Sequence, residues 1–345
     1  MRRYVDTGGL ILGNADCGSK KFAESFKRLG TQLFGDRARA SATGEGGNYE
    51  WRVLPDDHPI YLDQKFNMKD VRRKPRILGL GNGVRELMLL VDKQDLGRSW
   101  QLADRNKTEP FQVGTNIYLY TIDKQRQEYK GKGHVVLRDD SAKPATKLKL
   151  ARVRHAGNWN PEPGGWQQLS NVLANGGDLD LTVEASKASE LVAGEFDVAH
   201  LTGTEALDLT DEQKAGLKAF VGQGGTLIID AAGGSSAFTT STDVLLPKLF
   251  GEAAAEAMRQ PLPVTHAIYR AGDEPIEEVG YRAHARKTLG NENKPRLRGI
   301  EIDGRLAVIV SNEDLTNGLV GSPVDGVVGY TPEDATRLMT AVLRF

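Results

Sequence analysis

The sequence contains a single cysteine, Cys17, in 345 residues. One cysteine excludes an intrachain disulfide and any zinc site built on several thiolates. Long apolar runs are also missing, since none approaches the roughly 20 residues that a membrane-spanning helix needs. The opening residues MRRYVDTGG lack the apolar middle region of a signal peptide. The sequence therefore predicts neither a transmembrane segment nor a signal peptide in this chain.

A strong charge of either sign is absent as well. Lysine plus arginine (45) nearly balances aspartate plus glutamate (46), so the overall field that draws a protein to nucleic acid is missing, and we expect no nucleic-acid partner. No two histidines have the helical spacing of a metal site, and we expect neither a metal nor a cofactor. With 39% apolar residues the chain is long enough for two domains, each with its own core.

An internal repeat dominates what is present. Residues 224–251 read GGTLIIDAAGGSSAFTTSTDVLLPKLFG, and residues 8–35 read GGLILGNADCGSKKFAESFKRLGTQLFG. The two align without a gap and share Gly8/Gly224, Gly9/Gly225, Ala15/Ala231, Gly18/Gly234, Ser19/Ser235, Phe22/Phe238 and Gly35/Gly251. Each has a Gly-Gly turn, a buried strand, a glycine-bearing elbow and a new helix. This order is typical of the carboxyl edge of a parallel sheet.

The repeat continues beyond the elbow helix. Both copies place a histidine three residues before a tyrosine, at His58 and His266, and both then enter a Lys-Pro-Arg strand. The glycines of residues 79–83 resemble a dinucleotide loop, but the second copy has the turn signal Asp303-Gly304 in that region, and no helix follows the glycines. We therefore predict hairpins over residues 79–91 and 299–310.

Three segments follow from this repeat: a first domain at residues 1–122, a charged linker at 123–149 and a second, complete domain at 150–345. Met1 aligns with Leu217, so we expect the first domain to lack its front portion. Strands that alternate with helices in the second domain predict an α/β fold with a doubly wound parallel sheet and a ligand crevice at the carboxyl ends of its strands. The strand at residues 10–14 would lose a neighbour, which predicts a homo-oligomer formed through the incomplete first domain.

Several motifs of the second domain resemble those of a known superfamily. They are Arg152-Val153-Arg154 with Trp159, Leu201-Thr202-Gly203, residues 224–230 and Phe238. The pattern is similar to the class I glutamine amidotransferase-like superfamily, to its trehalose-utilisation (ThuA-like) branch and, more closely, to the bacterial domain of unknown function 4159 family. The resemblance implies a flavodoxin-like parallel sheet in two tandem copies. It implies no established activity, and family members are often exported, which implies an exported or periplasmic full-length parent.

In amidotransferases of this superfamily the elbow carries a nucleophilic cysteine, which the helix N-terminus activates. Cys17 lies close to that place, and His58 is its candidate base. Two features oppose this interpretation: the second copy has Gly233 at the position of Cys17, and Ile60 stands where the superfamily's His-Pro-Glu motif has glutamate. The alternative is that Cys17 is a small elbow residue and His58 caps a turn.

Binding residues are predicted around the second elbow. Asp230 ends a strand, and Gly233, Gly234, Ser235 and Ser236 offer N–H groups and hydroxyls at a helix start, with Trp159 beside the same mouth. The absence of a nucleophile here favours a non-catalytic ligand-binding or assembly module, whose partner is a small molecule or a protein. The alternatives are a hydrolase or amidotransferase-like enzyme using Cys17, and a carbohydrate- or polyol-binding protein.

Overall fold

A computed structural model describes residues 1–40, 48–122 and 133–345, with the side chains of 38–40 left out. The chain divides into two compact units. Unit 1 comprises Met1–Gly133 and Ser322–Val327, and unit 2 comprises His134–Gly321 and Val328–Phe345. Within the described residues no helix is long and apolar enough to cross a membrane.

Unit 1 contains a four-stranded sheet. Its elements are α1 (Arg2–Asp6), β1 (Ile11–Asn14), α2 (Lys20–Ala40), β2 (Trp51–Val53), α3 (Pro59–Leu62), β3 (Ile77–Gly81), β4 (Glu86–Val91), α4 (Leu96–Gln101) and α5 (Glu109–Thr121). The strand order is β1-β4-β3-β2. β1 runs parallel to β4, whereas β3 is antiparallel to both β4 and β2. β1 therefore lies at an edge of this sheet, where Leu12 is exposed.

The segment Ser322–Val327 completes the core of unit 1. Val324 and Val327 are buried in one apolar cluster with residues of α3, β4 and α5. Asp325 anchors the segment, because its N–H donates to the carbonyl oxygen of Tyr120 at 2.8 Å and its Oδ2 accepts from Gln64 Nε2 at 2.6 Å. Unit 1 is thus assembled from two separate stretches of chain.

Unit 2 contains a six-stranded, mostly parallel sheet. Its elements are β5 (Thr146–Arg154), α6 (Pro163–Asn175), β6 (Leu179–Lys187), β7 (Val198–Gly203), α7 (Asp211–Gly222), β8 (Thr226–Ala231), α8 (Ser236–Phe250), α9 (Glu252–Ala257), α10 (Ala283–Leu289), β9 (Arg298–Ile302), β10 (Arg305–Ser311) and α11 (Pro332–Arg344). The strand order is β6-β5-β7-β8-β10-β9, and among these strands only β9 is antiparallel to its neighbour.

The central strands of unit 2 are buried on both faces, which explains their nearly continuous apolar sequence. Along β8, Ile228 packs into a cluster with α6 and α11, whereas Leu227 and Ile229 pack into another with α7 and α8. α7 begins at a capping box formed by Thr210 and Gln213. The unit is mixed α/β with a parallel-rich sheet, compatible with a flavodoxin-like fold.

Both predicted hairpins are present. β3 pairs antiparallel with β4, and β9 with β10. Asp303 and Gly304 both adopt positive φ, 53° and 75°, as a two-residue turn between twisted strands requires. The glycines of residues 79–83 are accordingly part of a hairpin and do not form a dinucleotide loop.

The predicted linker at residues 123–149 is only partly described, because residues 123–132 lie outside the described ranges. Its last four residues require a correction, since β5 already begins at Thr146 and pairs along its whole length with β6. In the sequence, the charges of Lys147 and Lys149 favour a linker over a strand. They alternate with Leu148 and Leu150, which contribute to an apolar cluster, and this alternation is the pattern of a strand.

Candidate functional site

The elbow after β8 is held in a conformation that depends on glycine. Gly233 has φ 70° and Gly234 has φ 72°, a region that favours glycine. A Cβ on Gly234 would lie 2.3 Å from the carbonyl oxygen of Val328. Ser235 then caps α8, because its Oγ accepts from Phe238 N at 3.2 Å while it donates to the carbonyl oxygen of Thr204 at 2.9 Å. The Ser235 hydroxyl is thus engaged within the fold.

Asp314, which follows β10, fixes the backbone of this elbow through hydrogen bonds. Its Oδ2 accepts from Gly233 N at 2.6 Å, and its Oδ1 accepts from Asn317 N and Gly318 N at 3.0 and 3.1 Å. Burial and the neighbouring charge of Asp230 raise the pKa of Asp314 above its usual range, although Arg282 and the N–H donors act in the opposite direction. The role of this buried carboxylate is to fix the backbone.

Asp230, a predicted binding residue, is fully buried at the end of β8. Its Oδ1 lies 2.7 Å from His200 Nε2 and accepts from the Thr316 hydroxyl at 2.9 Å, and its Oδ2 accepts from Leu315 N and Thr316 N at 3.0 and 2.8 Å. Burial would raise the pKa of Asp230, but His200 and the Thr316 donors outweigh it and hold the pKa below its usual range. The structure places this carboxylate in the interior.

A groove runs along α8 beside the elbow. It has a volume of about 630 Å³ and lies between α8 and the segment 206–209. That segment is fixed because Leu207 N donates to Ser241 Oγ at 2.8 Å. The groove is lined by Ala206, Leu207, Asp208, Leu209, Lys214, Ser236, Ala237, Thr240, Ser241, Val244, Leu245 and Lys248.

The predicted binding residues are therefore distributed over several places. Ser236 lines the groove, Ser235 caps the helix, and Asp230 is interior. Trp159 does not line this groove. Its ring lies 5.5 Å from the Arg154 guanidinium, and its carbonyl oxygen accepts from Arg152 Nη2 at 3.1 Å.

Cys17 occupies the corresponding elbow of unit 1. It is exposed and has φ 49° and ψ 25°, and its Sγ lies 4.0 Å from Arg98 Nη1. Its N–H donates to Asp95 Oδ2 at 2.8 Å. Asp95 also accepts from Arg98 N at 2.9 Å and Asn14 Nδ2 at 3.0 Å. The pKa of Asp95 lies well below its usual range, because its carboxylate accepts hydrogen bonds from Arg98 N, Cys17 N and Asn14.

Asp16, Cys17 and Asp95 place one potential metal-ligand atom each within 4.8 Å of one another. Asp95, however, is already engaged by the three donors just described. These hydrogen bonds account for the position of the Asp95 carboxylate in this cluster.

His58 caps α3 and contacts Glu86 of β4. Its Nδ1 accepts from Ile60 N at 3.2 Å, and its Nε2 lies 3.4 Å from Glu86 Oε1. Burial would raise the pKa of Glu86, but His58 and Arg52 outweigh it and lower that pKa. His58 therefore contacts the side chain of Glu86, whereas Cys17 contacts Asp95 and Arg98. Within the described residues no hydrogen bond or ion pair joins Cys17 to His58.

Several contacts at the two elbows occupy equivalent positions. In each unit an N–H of the elbow donates to an aspartate. A backbone N–H that follows the second strand of the hairpin donates to the polar side chain at the end of the neighbouring parallel strand. In each unit, too, a histidine Nδ1 accepts a hydrogen bond at 3.2 Å from the first turn of a short helix. The pairs are Cys17–Asp95 and Gly233–Asp314, Leu96–Asn14 and Leu315–Asp230, His58–Ile60 and His266–Ile268.

Sequence reasoning missed the partners of these residues. His200 lies within an apolar strand, and its contact with Asp230 joins neighbouring strands. Asp314 could have been found, since the repeat aligns it with Asp95, and both follow the second strand of a hairpin.

The fold and the elbow define a mixed α/β protein with a parallel-rich sheet and a polar cluster at the carboxyl ends of its central strands. A family model, described as a domain of unknown function (DUF4159), matches residues 149–344. The chain belongs to this family. A search of curated proteins finds no match to the chain.

Proposed function

We propose that the chain contains two tandem copies of a doubly wound, class I glutamine amidotransferase-like fold of the ThuA-like branch. The ungapped repeat and the equivalent elbow contacts support this. In unit 2, the order β6-β5-β7-β8-β10 corresponds to the 2-1-3-4-5 order of flavodoxin-like sheets. The β1-β4-β3 arrangement of unit 1 resembles β8-β10-β9.

We infer further that the protein is a non-catalytic ligand-binding module and that the groove along α8 is its site. The observation that carries this is the elbow of unit 2. Gly233 stands where a nucleophile would be needed, and its N–H is bonded to Asp314, while a groove of ligand size lies directly beside it.

The groove has the properties of a small-molecule site. Its volume of about 630 Å³ falls within the range of roughly 300–1,000 Å³ that is usual for such sites. Leu207, Val244 and Leu245 form apolar walls, and Ser236 supplies a hydroxyl at one end. Lys248 lies twelve residues further along α8, about 18 Å away, and has no ion pair within the described parts of the chain. The ligand is a small molecule with an apolar body and an acidic group.

The test uses anilinonaphthalene sulfonate, whose apolar rings and single sulfonate match these features. We expect saturable fluorescence with the wild-type chain and at least tenfold weaker binding with Val244→Asp. Val192→Asp is the matched control, because both valines are about half exposed, 54% and 50%, and Val192 lies outside the groove. Equal binding by all three proteins would contradict the assignment. Displacement by octanoate supports an acidic ligand, whereas displacement by trehalose alone would favour the carbohydrate alternative.

A second candidate function, thiol chemistry at Cys17, is favoured by one observation. Cys17 is a non-glycine residue with positive φ at a strand-to-helix elbow, where strain often accompanies function. The test is the pH dependence of iodoacetamide alkylation, since no other thiol competes. The binding-module proposal predicts no effect of His58→Ala on this profile. Fast alkylation well below pH 8.5, the region of an ordinary thiol's pKa, would place the enzyme first.

A further inference from the structure

Arg152, near the end of β5, is a buried cation without a partner of opposite charge. Its side chain is 4% exposed, and its one hydrogen bond runs from Nη2 to the carbonyl oxygen of Trp159. No described carboxylate lies within ion-pair distance of it. Burial lowers the pKa of Arg152 to about 10, against the attraction of Asp230. Because an unpaired buried charge is strongly destabilising, this guanidinium indicates an anionic partner from outside the chain.

Two further buried nitrogens lie in the same cluster. Arg152 Nε, Trp166 Nε1 and His200 Nδ1 have no hydrogen-bond partner within the described ranges, and Trp166 and His200 are 2% and 1% exposed. The Arg152 guanidinium lies 5.7 Å from the Trp166 ring, and the Trp166 and His200 rings are 4.8 Å apart. Buried nitrogens are normally hydrogen-bonded, so three such atoms in one cluster point to a shared ligand.

The position of the cluster in the sheet is also that of a binding site. Arg152 and His200 are register partners on the adjacent parallel strands β5 and β7, so their side chains lie on the same face. β6 lies on one side of β5 and β7 on the other, so the chain reverses its direction of winding between these strands. Open α/β sheets bind ligands at this switch point.

The hydrogen-bonding roles of the three nitrogens specify the chemistry of the ligand. His200 Nε2 lies 2.7 Å from the Asp230 carboxylate and therefore carries the proton. Burial lowers the pKa of His200, although Asp230 opposes this, so the ring is neutral and Nδ1 is an acceptor. Arg152 Nε and Trp166 Nε1 are donors. A matching ligand accepts two hydrogen bonds through anionic oxygens and donates one from a hydroxyl.

We propose that Arg152, Trp166 and His200 form an internal site for a phosphate group that retains one hydroxyl, such as hydrogen phosphate. Its oxygens accept from Arg152 and Trp166, and its hydroxyl donates to His200 Nδ1. Sulfate has the same shape but no hydroxyl at neutral pH, so it leaves an oxygen facing the lone pair of Nδ1. This site is separate from the groove along α8.

The experiment is a titration of the whole chain with inorganic phosphate at constant ionic strength, followed by ³¹P NMR and calorimetry after exhaustive dialysis against phosphate-free buffer. We expect one saturable site that binds phosphate at least tenfold more tightly than sulfate. Arg152→Met and Trp166→Phe should each weaken binding at least tenfold. Trp166→Phe retains most of the ring packing, so it remains informative if Arg152→Met folds poorly. Lys218→Met, at an exposed lysine of α7 outside the groove, is the control and should bind phosphate as the wild type does, whereas Lys248→Met tests whether the anion binds in the groove.

Each other outcome overturns the proposal. Absence of saturable phosphate binding would mean that the three nitrogens do not bind phosphate, and it would leave the groove proposal unchanged. Binding lost in Lys248→Met but kept in Arg152→Met would place the anion in the groove instead. Equal affinity for sulfate would remove the role assigned to His200.

Discussion

The replacement Asp314→Ala tests whether the buried carboxylate below the elbow holds the fold together. It would leave the N–H groups of Gly233, Asn317 and Gly318 without their acceptor. Asn317 and Gly318 are buried, whereas Gly233 is half-buried. An unsatisfied buried donor costs about 1 to 3 kcal/mol, so the two buried donors alone account for a gross loss of about 2 to 6 kcal/mol. Relief of the repulsion between Asp314 and Asp230 offsets part of this. We therefore expect a net loss of about 3 kcal/mol in the free energy of unfolding.

The repeat supplies a matched comparison for this variant. Asp95→Ala removes the equivalent carboxylate in unit 1, where the elbow residue Cys17 is exposed and water can replace the lost acceptor. The expected loss is about 1 kcal/mol, the usual effect of removing a helix N-cap. Asp273→Ala is the surface control, since its side chain is 86% exposed, and we expect a change below about 0.5 kcal/mol.

The assay is urea unfolding followed by tryptophan fluorescence. Trp159 and Trp166 report on unit 2, and Trp51 and Trp100 report on unit 1. Equal losses for Asp314→Ala and Asp95→Ala, or a loss below about 1 kcal/mol for Asp314→Ala, would refute the assignment of a clamping role to the buried carboxylate.

Three further predictions concern other parts of the chain. Burial lowers the pKa of His155, so the unfolded chain binds a proton that the folded chain does not. Through this residue, stability should fall as the pH drops below about 6.5, by at most about 1.4 kcal/mol per pH unit. His155→Gln should reduce the pH dependence of urea midpoints between pH 7.5 and 5.5, and His200, whose pKa burial also lowers, accounts for a remaining slope of the same sign; an unchanged slope would contradict this. Gly234→Ala should destabilise by about 3 kcal/mol or more in urea unfolding, because it meets the backbone of Val328. Gly304→Ala has a similar φ and open space and should lose about 1 kcal/mol; equal losses would be inconsistent with the steric argument. Edge pairing through β1 predicts that the wild type self-associates in sedimentation velocity and that Leu12→Lys is monomeric; a monomeric wild type would exclude this mode of association.

Features set by local chemistry could be read from the sequence. The Asp303-Gly304 turn follows from residues that tolerate positive φ, and the start of α7 follows from the capping pattern of Thr210 and Gln213. Both depend on a few consecutive residues, so no knowledge of the tertiary fold is required.

Contacts between distant elements could not be read in this way. The motifs around Cys17 and His58 predict a nucleophile and its base, but the contacts of Cys17 with Asp95 and of His58 with Glu86 follow only from the pairing of the strands. Asp230 is an acidic residue at the end of a strand, which predicts a binding residue. Its carboxylate is instead hydrogen-bonded by donors from β7 and from the segment after β10. Those pairings determine which polar groups form hydrogen bonds within the fold and which remain available to bind a ligand.

The segment Ser322–Val327 has a practical consequence for dissecting the protein. Neither unit is a continuous piece of polypeptide, so a cut after Gly133 would separate unit 1 from the two valines that close its core and from the partner of Gln64. The fragment that begins after Gly133 would contain those two valines, but the rest of unit 1, against which they pack, would be missing. Truncated proteins that end or begin at residue 133 are therefore poor material for assigning an activity to one half, and point substitutions in the intact chain are the appropriate tool.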